Sequence, residues 1–547
     1  MIRGEAVLGK RRCGTLQDVA GRVIAARLLC YAVMNEQMTT SQTPQAGQTG
    51  QAGQISAAIT PMNAQTSQTA QTSQTASIAE AAAAPIAATL RHTRRRPEVL
   101  APAGNLRSLK TAVDFGADAV YCGGKAFGMR SAPKNFTLED FEEGARYAHE
   151  HGARVYVTCN ILPHNDEVAA MREYLGQLAE VGVDALIVTD IGIMMDARHI
   201  APNLELHVST QAGVTNYGAA NALYELGAKR VVLARELDLD AVRDIRANTP
   251  DDLDIECFVH GSMCMAFSGR CLLSNYLTGR SGNHGDCAQP CRWKYHVVEE
   301  KRPGRFFPVE ENGEGTFLFN SQDMNMLGHL DDLIDAGATS LKIEGRAKSA
   351  YYVAAVTNAY KTAVDAYMVQ RGFEDGQGHT LRPFADRVRR TTAGQPALLG
   401  DAARMPGDAP HVRLPQWVLD EPYKVSHREY STGFYYPEHP VGQNTDRGGY
   451  FRDWIVVGEV MSYDASTRRV TLMSRNKIEA GQDVEFLMPG REPLRMTVPA
   501  GGFLDADGHW VESVNNPAHV FSMPCPEPVT ANAAIRSRAR NRTLKAE

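Results

Sequence analysis

The chain has 547 residues, which is long enough for two or three domains with a large hydrophobic core. Its formal net charge is −6, but residues 1–96 carry +6, so the remainder carries −12; a body this acidic is excluded as a general nucleic-acid binder, and RNA contacts must come from local patches. No run of 18 apolar residues occurs, and Arg22 and Arg27 interrupt the apolar segment Val19–Met34, so we expect a cytoplasmic protein with reduced cysteines and no membrane span.

Residues 1–95 contain little that could form a hydrophobic core. The segment Thr39–Ala88 repeats Thr, Ser, Gln, Ala and Gly and has few large apolar side chains. Burial of so few apolar groups cannot offset the conformational entropy lost on ordering. We therefore predict a disordered, low-complexity tail that is dispensable for folding.

From Pro97 onward, short β-type runs alternate with helical segments. Such alternation predicts a parallel sheet, and eight strands are the number that closes a (β/α)8 TIM-type barrel, which we place at residues 96–370. An open, doubly wound sheet is the alternative, but the length of the region favours closure. The eight runs are EVLAPA, AVYCGG, RVYVTC, ALIVTD, ELHVST, RVVLAR, IECFVH and SLKIEG.

Local signals support the helices between these strands. The sequence Thr137-Leu-Glu-Asp140 predicts a capping box at the start of a helix that Gly152 ends. Residues 349–368 carry Ala and Tyr at helical spacing and predict the last barrel helix. The run FLFNSQDM could be a further strand, which we place in a Cys-rich insertion between strands seven and eight.

The remainder of the chain is predicted in three parts. Residues 371–440 are predicted to be a linker or insertion, because residues 371–415 are rich in Gly, Pro, Asp and Arg. Residues 441–527 contain short strand-like runs separated by turn residues, which predict a small antiparallel β-barrel. Residues 528–547 are predicted to be a basic tail that either assists RNA binding or is a disordered, solubilising end. The tail's cations are Arg536, Arg538, Arg540, Arg542 and Lys545.

Four cysteines follow the seventh predicted strand with the spacing C-x6-C-x15-C-x3-C. They are Cys264, Cys271, Cys287 and Cys291. Disulfides fit poorly because the chain is large and is not a small cross-linked scaffold. Structural zinc is a better fit, but only the last pair has the tight spacing of a zinc knuckle. Four thiolates in Gly-rich loops favour a [4Fe-4S] cluster, with zinc and unliganded cysteines as the alternatives.

Several ordered motifs in this chain resemble those of the collagenase-like peptidase family U32, and within it the prephenate-dependent tRNA uridine 5-hydroxylase branch. The resemblance runs from Pro97 to Met368 and resumes in the C-terminal part. It rests on ECFVHGSMCMAFSGRCLLSNY, CAQPCRWKY, NILPHN, HVSTQA, VLARELDL, FNSQDM and SLKIEGRAKSAYYVA. The resemblance implies tRNA as substrate, prephenate as co-substrate, and 5-hydroxylation of a wobble uridine.

Barrel proteins build their sites from side chains at the carboxyl ends of several strands. The side chains available there are Cys122, Arg130, Cys159, Asn160, His164, Asp190, His207, Ser209, Gln211, Arg235, Glu236, His260, Lys342, Glu344 and Arg346. We expect Cys122, Cys159 and Cys257 to be packed thiols.

Cations are prominent in this set, as a dicarboxylate such as prephenate requires. Arg130, Arg235 and Arg346 are the candidates for holding it, although ordinary ion pairs with Glu236 or Glu344 are equally consistent with the sequence. The further substrate-binding candidates are His164 and His207, and the catalytic candidates are His260 and Glu344. His260 lies four residues before Cys264 and could transfer protons near a cluster or simply fix the loop.

Two other functions compete with hydroxylation. A peptidase is the first, but neither an HExxH zinc motif nor a GxSxG nucleophile motif is present. A Cys264–His260 pair could serve only if that thiol were not committed to a cluster. A non-catalytic RNA-binding or assembly factor is the second, and it leaves the four cysteines unexplained.

Overall fold

The computed structural model of the chain describes residues 96–128, 135–263, 271–282, 286–293, 296–298, 306–308, 322–373, 410–439 and 450–539. The predicted disordered tail at 1–95 lies outside these residues. None of the described helices is both long and apolar enough to cross a membrane.

Eight parallel strands close into a barrel, as predicted. Seven come in succession and the eighth, β11, pairs with both β1 and β7, with Val99 opposite Leu341 and Leu341 opposite Cys257. The barrel consists of β1 to β7 and β11. The strands from the start of the barrel to β11 are β1 Glu98–Pro102, β2 Ala119–Cys122, β3 Arg154–Cys159, β4 Ala185–Val188, β5 Glu205–Val208, β6 Arg230–Val232, β7 Asp254–Ser262, β8 His296–Val298, β9 Phe306–Pro308, β10 Asp323–Asn325 and β11 Ser340–Ile343.

Helices cover the outside of the barrel. They are α1 Leu106–Asp114, α2 Leu138–Glu150, α3 Val168–Glu180, α4 Ile191–Ile200, α5 Tyr217–Glu225, α6 Leu239–Ala247, α7 Leu273–Thr278, α8 Leu330–Asp335 and α9 Ala350–Gln370. The predicted capping box at Thr137 and Asp140 is confirmed, and Gly152 follows the end of α2 with a φ of +69°. Side-chain oxygens of Asn105, Asp190 and Ser349 similarly accept N-cap hydrogen bonds at α1, α4 and α9.

The alternation along each strand separates two layers of the core. Val155, Val157 and Cys159 of β3 face outward into the large apolar cluster beneath the helices. Tyr156, between them, faces the barrel axis and joins a small interior cluster. The full membership of that interior cluster is Leu100, Ala119, Tyr121, Tyr156, Ala185 and Ile187. Side chains therefore fill the barrel axis, as in other closed barrels of this size.

Part of the segment predicted to be a linker belongs to the barrel. Within residues 371–440, α10 (Gln416–Asp420) and β12 (Tyr430–Ser431) are ordered elements, and β12 pairs with β10, which pairs antiparallel with β7. Tyr435 is buried and donates a hydrogen bond to the backbone oxygen of Phe258 at 2.9 Å. Residues 410–439 of the predicted linker or insertion therefore form ordered elements whose apolar side chains complete the barrel's outer layer; residues 374–409 lie outside the described part.

The C-terminal region forms an antiparallel half-barrel, which confirms the predicted strand type. Its strands are β13 Trp454–Asp464, β14 Arg469–Ser474, β15 Ile478–Glu479, β16 Asp483–Phe486, β17 Leu494–Thr497, β18 Phe503–Asp505, β19 Trp510–Val511, β20 Ser513–Val514, β21 Val520–Pro524 and β22 Ala534–Arg538. Eight of them run in the order β17-β16-β22-β13-β14-β21-β18-β19, while β15 pairs with β20. The prediction of a basic tail at 528–547 is wrong for β22, because Ala534 and Ile535 are buried in this sheet between β16 and β13.

Buried polar contacts fix the half-barrel to α9 of the barrel. The Arg536 guanidinium is fully buried and lies 2.7 Å from the carboxylates of both Glu421 and Glu485. The amide of Asn358 in α9 donates to the backbone oxygen of Met488 at 3.1 Å and accepts from the backbone N–H of Gly490 at 2.7 Å. Both ends of that amide are satisfied across the interface, so the half-barrel has a defined orientation on the barrel.

Candidate active site at the carboxyl end of the barrel

The amino end of the barrel interior, which we call the floor, is a closed network of charges. The guanidinium of Arg230 lies 2.6 Å from Glu98, 3.0 Å from Asp254 and 3.1 Å from Glu256. Although burial opposes its charge, these carboxylates hold the pKa of Arg230 well above its ordinary value. Each charge faces an opposite one, so the floor supports the fold and leaves little room for a ligand.

The carboxyl end of the interior, which we call the mouth, begins with Arg346. This side chain is buried, and its Nη1 donates to Thr158 Oγ1 at 2.6 Å. Gly123, at the end of β2, leaves the space it occupies: a Cβ atom there would lie 2.7 Å from Thr158 Oγ1 and closer still to Arg346 Nη1. The absence of a side chain at Gly123 therefore leaves room for the guanidinium of Arg346.

A carboxylate lies next to this arginine along the chain. Glu344 is buried, and one of its oxygens is 3.3 Å from the hydroxyl of Tyr121, which also donates to the backbone oxygen of Ile343. Tyr352 in α9 donates to the backbone oxygen of Glu344 at 3.0 Å. Two tyrosines thus hold the turn after β11 in place, with an acceptor carboxylate facing the barrel axis.

Two further cations at the mouth rest on aromatic rings. The Arg235 guanidinium lies 3.8 Å from the centroid of Phe258, and Lys342 Nζ lies 4.6 Å from the centroid of Tyr121. Lys342 is also 2.7 Å from Glu256 of the floor. Cation–π contacts stabilise buried charges while leaving hydrogen-bond donors directed elsewhere. Lys342 links the two layers, whereas Arg235 belongs to the mouth.

An amide cluster forms the opposite side of the mouth. Asn160 Nδ2 donates to Gln211 Oε1 at 2.9 Å and approaches Ser209 Oγ at 3.4 Å. Gln211 is 5% exposed, and its Nε2 has no hydrogen-bond partner among the described residues. Gln211 and Thr189 also border an otherwise apolar cavity of about 460 Å³ between α4 and α5. A buried donor in such a position suits an acceptor on a ligand.

His260, a predicted catalytic residue, lies inside an aromatic cage. Its ring centroid is 5.4 Å from Tyr430, 5.5 Å from Tyr360 and 6.0 Å from Tyr352, and its Nδ1 is 3.3 Å from the Tyr360 hydroxyl. Burial, with the nearby charge of Lys348, lowers the pKa of His260 to about 3. The imidazole is therefore neutral at physiological pH, and its catalytic role stays a prediction.

The predicted substrate-binding residues separate into three groups. Arg235 and Arg346 are at the mouth, together with the predicted catalytic residue Glu344. His164 is exposed in the loop after β3, and His207 is fully buried, with its Nε2 3.2 Å from Glu205 and its ring against Tyr156. Arg130 lies outside the described residues.

Sequence reasoning missed three contributors to the mouth, namely Tyr121, Gly123 and Thr158. Tyr121 and Thr158 were hidden within apolar strand runs. The paired glycines after AVYC were a usable signal, because consecutive glycines at the end of a barrel strand indicate close approach of another group.

Three of the four motif cysteines are described, and Cys264 is not. Cys271 and Cys291 are partly exposed and Cys287 is exposed, whereas every other described cysteine is buried. The backbone N–H of Gln289 donates to Cys287 Sγ at 3.3 Å. An accessible sulfur that accepts a backbone hydrogen bond, as that of Cys287 does, suits a ligand of an iron-sulfur cluster.

The remaining barrel thiols do not suit nucleophilic chemistry. Cys122, Cys159 and Cys257 are buried, as predicted for packed thiols. Burial raises the pKa of Cys159 and of Cys257 to about 12 and raises that of Cys122 as well. These thiols stay protonated at neutral pH and lack the thiolate that attacks a peptide bond.

Fold and site together define a closed (β/α)8 barrel whose mouth contains buried cations and whose seventh strand leads into a cysteine-bearing segment. The chain matches the family model described as Peptidase family U32 over residues 104–394, and that family's C-terminal domain over residues 452–536. The protein belongs to peptidase family U32.

Its similar curated relatives have names that concern RNA. It is 35% identical to tRNA hydroxylation protein P1 of Bacillus subtilis over 78% of this chain and 91% of that protein. It is 44% identical to tRNA hydroxylation protein P of Helicobacter pylori over 52% of this chain and 72% of that protein. It is also 41% identical to a 23S rRNA 5-hydroxycytidine synthase of Escherichia coli, over 54% of this chain and 44% of that protein.

Proposed function

We propose that this protein is an enzyme that hydroxylates pyrimidine bases in RNA, with tRNA as its substrate. The observation that carries the reaction class is the similarity along almost the whole length of a tRNA hydroxylation protein. A second relative, named as an rRNA 5-hydroxycytidine synthase, shares the reaction class on a different RNA. Within this class we propose position 5 of a wobble uridine as the target.

For the small co-substrate we propose prephenate, a dicarboxylate. The mouth supports this proposal with Arg346 and Arg235, two buried cations. Guanidinium groups bind carboxylates through paired N–H···O bonds, and low exposure strengthens those bonds because water competes less. Gln211 Nε2 adds a neutral donor, which suits an oxygen atom of the same molecule.

The proposed cofactor is a [4Fe-4S] cluster held by Cys264, Cys271, Cys287 and Cys291. The accessible sulfurs of the last three, and the N–H that Gln289 donates to Cys287, support this assignment over a role as packed thiols. Such a cluster would supply one-electron transfer when bound.

The protein's own residues would bind, orient and exclude water. The hydrogen bond from Arg346 to Thr158 fixes the direction of the guanidinium before a ligand arrives. Glu344, fixed through Tyr121, is the acceptor positioned to take a proton at the mouth. The aromatic cage around His260 keeps that wall of the mouth dry.

Mass spectrometry of tRNA nucleosides tests the proposal. A strain that lacks the gene should lose 5-hydroxyuridine and its derivatives, and the full chain should restore them. A strain blocked in prephenate synthesis should show the same loss, and anaerobically purified protein should contain about four iron atoms per chain. Unchanged 5-hydroxyuridine in both strains would refute the proposal.

The peptidase alternative rests on the family's name. Its test is gelatin cleavage by the purified protein. Burial keeps the described barrel thiols protonated and unsuited to attack, whereas Cys264, the thiol paired with His260 in this alternative, lies outside the described residues. The third possibility, a non-catalytic RNA-binding or assembly factor, predicts that Arg346→Lys and Glu344→Gln would restore hydroxylation in the deletion strain as well as the unaltered chain does. Loss of hydroxylation in those variants, with RNA binding retained, favours the enzyme.

A further inference from the structure

The short helix α7 between the first two described motif cysteines exposes apolar side chains to solvent. Leu272, just before the helix, is 68% exposed, Tyr276 is 85% exposed and Leu277 is 43% exposed. Leu272 and Tyr276 are four residues apart and therefore lie on one face. Large apolar groups that cluster on a surface usually mark a binding site.

The opposite face of α7 is fixed to the cysteine segment. Ser274 is 1% exposed, and its hydroxyl accepts a hydrogen bond from the backbone N–H of Ala288 at 2.9 Å. Ala288 adjoins Cys287, and Cys271 precedes the helix by two residues. One face of α7 therefore packs on the segment that carries the cysteines, while the face with Leu272 and Tyr276 points away from it.

Among the described residues, the side chain of Tyr276 makes no contact that would stabilise the fold. Its hydroxyl makes no hydrogen bond, and its ring has no aromatic or cationic partner within the described part of the chain. A tyrosine that stabilised the segment would bury its ring or anchor its hydroxyl. The side chain is instead available to a partner.

The charge around the helix indicates the chemistry of that partner. Residues 270–294 contain four Lys and Arg and one acidic residue, within a chain of net charge −6. Arg280 follows the end of α7, is about half exposed, and pairs with Asp286, the one acidic residue of this stretch. A basic stretch of sequence beside an exposed aromatic ring is typical of segments that bind single-stranded nucleic acid.

We propose that Leu272, Tyr276 and Arg280, which we call the α7 platform, bind the RNA substrate. In this proposal a base next to the target stacks on the Tyr276 ring and Arg280 contacts the adjacent phosphate. The platform then holds the strand beside the cysteines, while the target base enters the mouth. The inference rests on the proposed function and adds a specific RNA-binding surface to it.

RNA is favoured over a protein partner by this charge and by the size of the patch. A stable protein interface needs roughly 800 Å² on each partner. Two leucines and one tyrosine on a six-residue helix offer much less apolar area, whereas a single base needs only one ring. Stacking on an aromatic ring is also tolerant of base identity.

Binding of the anaerobically purified holoprotein to fluorescein-labelled tRNA anticodon stem-loops provides the test. Tyr276→Ala should weaken the Kd by about 10-fold or more, since loss of one stacked base has an effect of that order. Tyr276→Phe should bind within about twofold of the unaltered protein, because the ring is retained. The matched control is Tyr217→Ala, which removes a tyrosine that is 50% exposed on α5, far along the chain from the cysteines, and it should leave the Kd unchanged.

Two results would overturn the proposal: an unchanged Kd in Tyr276→Ala, or equal losses in the Phe and Ala variants. Iron content is measured on each variant, and a Kd that weakens only in proportion to lost iron also counts against the platform. A change from dimer to monomer in Tyr276→Ala, with an unchanged Kd, would assign this face to a protein contact instead. Because the measured quantity is the Kd for RNA, the proposal for the α7 platform is tested independently of hydroxylation.

Discussion

The two ends of the barrel interior use the same kinds of side chain with opposite results. At the floor, Arg230 is surrounded by Glu98, Asp254 and Glu256, and both terminal nitrogens of its guanidinium pair with carboxylates. At the mouth, Arg235 lies on an aromatic ring, and Arg346 is held by a hydroxyl group. The floor pairs its charges with one another, whereas two cations of the mouth contact an aromatic ring and a hydroxyl group.

This difference separates stability from function within a single barrel. Burying the charges of the floor costs desolvation energy, which their pairing with one another offsets. Cations placed on rings or hydroxyls retain hydrogen-bonding capacity for a carboxylate ligand. Substitutions at the floor should therefore affect folding first, and substitutions at the mouth should affect activity first.

The largest effect is expected from Arg230→Met. Removal of the guanidinium leaves three buried carboxylates with reduced compensation, and breaking such a network costs about 3–5 kcal/mol. Urea unfolding followed by circular dichroism measures this loss. The control is Arg243→Met, which breaks an exposed pair with Asp240 and should leave the unfolding midpoint unchanged. A loss below about 1 kcal/mol in Arg230→Met would show that the floor is not a stabilising element.

At the mouth, Arg346→Lys should lower kcat/KM for tRNA hydroxylation by about 10- to 100-fold, with the unfolding midpoint little changed. Lysine keeps the charge but loses the paired N–H groups that bind a carboxylate. Single-turnover assays at several prephenate concentrations measure the effect, which should appear mainly in the prephenate dependence. Arg172→Lys, at an exposed pair with Asp196, serves as the control. Full activity in Arg346→Lys would remove this residue from the site.

The pH dependence of stability should reveal the neutral histidine at the mouth. The folded pKa of His260 is about 3, below the unfolded value of about 6.5, so its contribution is complete above pH 6.5 and is lost as the pH falls toward 3. Between pH 7 and 5 this amounts to about 2 kcal/mol. Over this pH interval the free energy of unfolding of His260→Gln should therefore fall by about 2 kcal/mol less than that of the unaltered protein. The control His509→Gln, at an exposed site, should show the same pH dependence as the unaltered protein. Parallel curves for His260→Gln would contradict the assignment.

The smallest effect concerns the space around Arg346. Gly123→Ala places a Cβ atom against Thr158 Oγ1 and the guanidinium, so the flexible end of Arg346 must shift. We expect about a tenfold loss of kcat/KM with little change in stability, because a 1 Å displacement of a positioning group has effects of that order or larger. Gly176→Ala is the matched control, since its Cβ would meet only Ile200 at 3.8 Å in the middle of α3. There the better helix propensity of Ala should slightly raise the melting temperature.

The eight barrel strands could be predicted from the sequence because their outward residues, such as Val155 and Val157, form β-type apolar runs with helical segments between them. The charge network of the floor could not be predicted from the sequence. Arg230 pairs with Glu98, 132 residues earlier, and only closure of the barrel brings them together. Single-sequence patterns report which face a residue occupies but not which distant residue it meets.

The mouth was predicted in part, for a related reason. Arg235, Glu344 and Arg346 follow strands that were correctly placed, and the carboxyl-end rule put them at one edge. His207 was predicted by the same rule, but it lies one step earlier, within β5 itself, and points into the interior beside Glu205. One step along a strand therefore separates a residue at the mouth from a residue buried in the interior.

Arg536 illustrates a different failure. Five cations within ten residues indicated a solvated tail, yet this one forms a fully buried ion pair because its partner carboxylates come from Glu421 and Glu485. Local charge density could not reveal carboxylates supplied from elsewhere in the chain. Burial of charge depends on such partners.

The position of β22 in the half-barrel has a consequence for how the chain is made. Residues Ala534–Arg538 lie between β13 and β16, whereas the last helix of the barrel ends at Gln370. Domains generally fold in order as they leave the ribosome, so the barrel can close while the half-barrel still lacks its central strand. Until β22 arrives, β13 and β16 expose unpaired edges, and the nascent protein is most prone to aggregation in this interval. Synthesis of β22 therefore closes that gap and also brings Arg536 to the site where the two domains join.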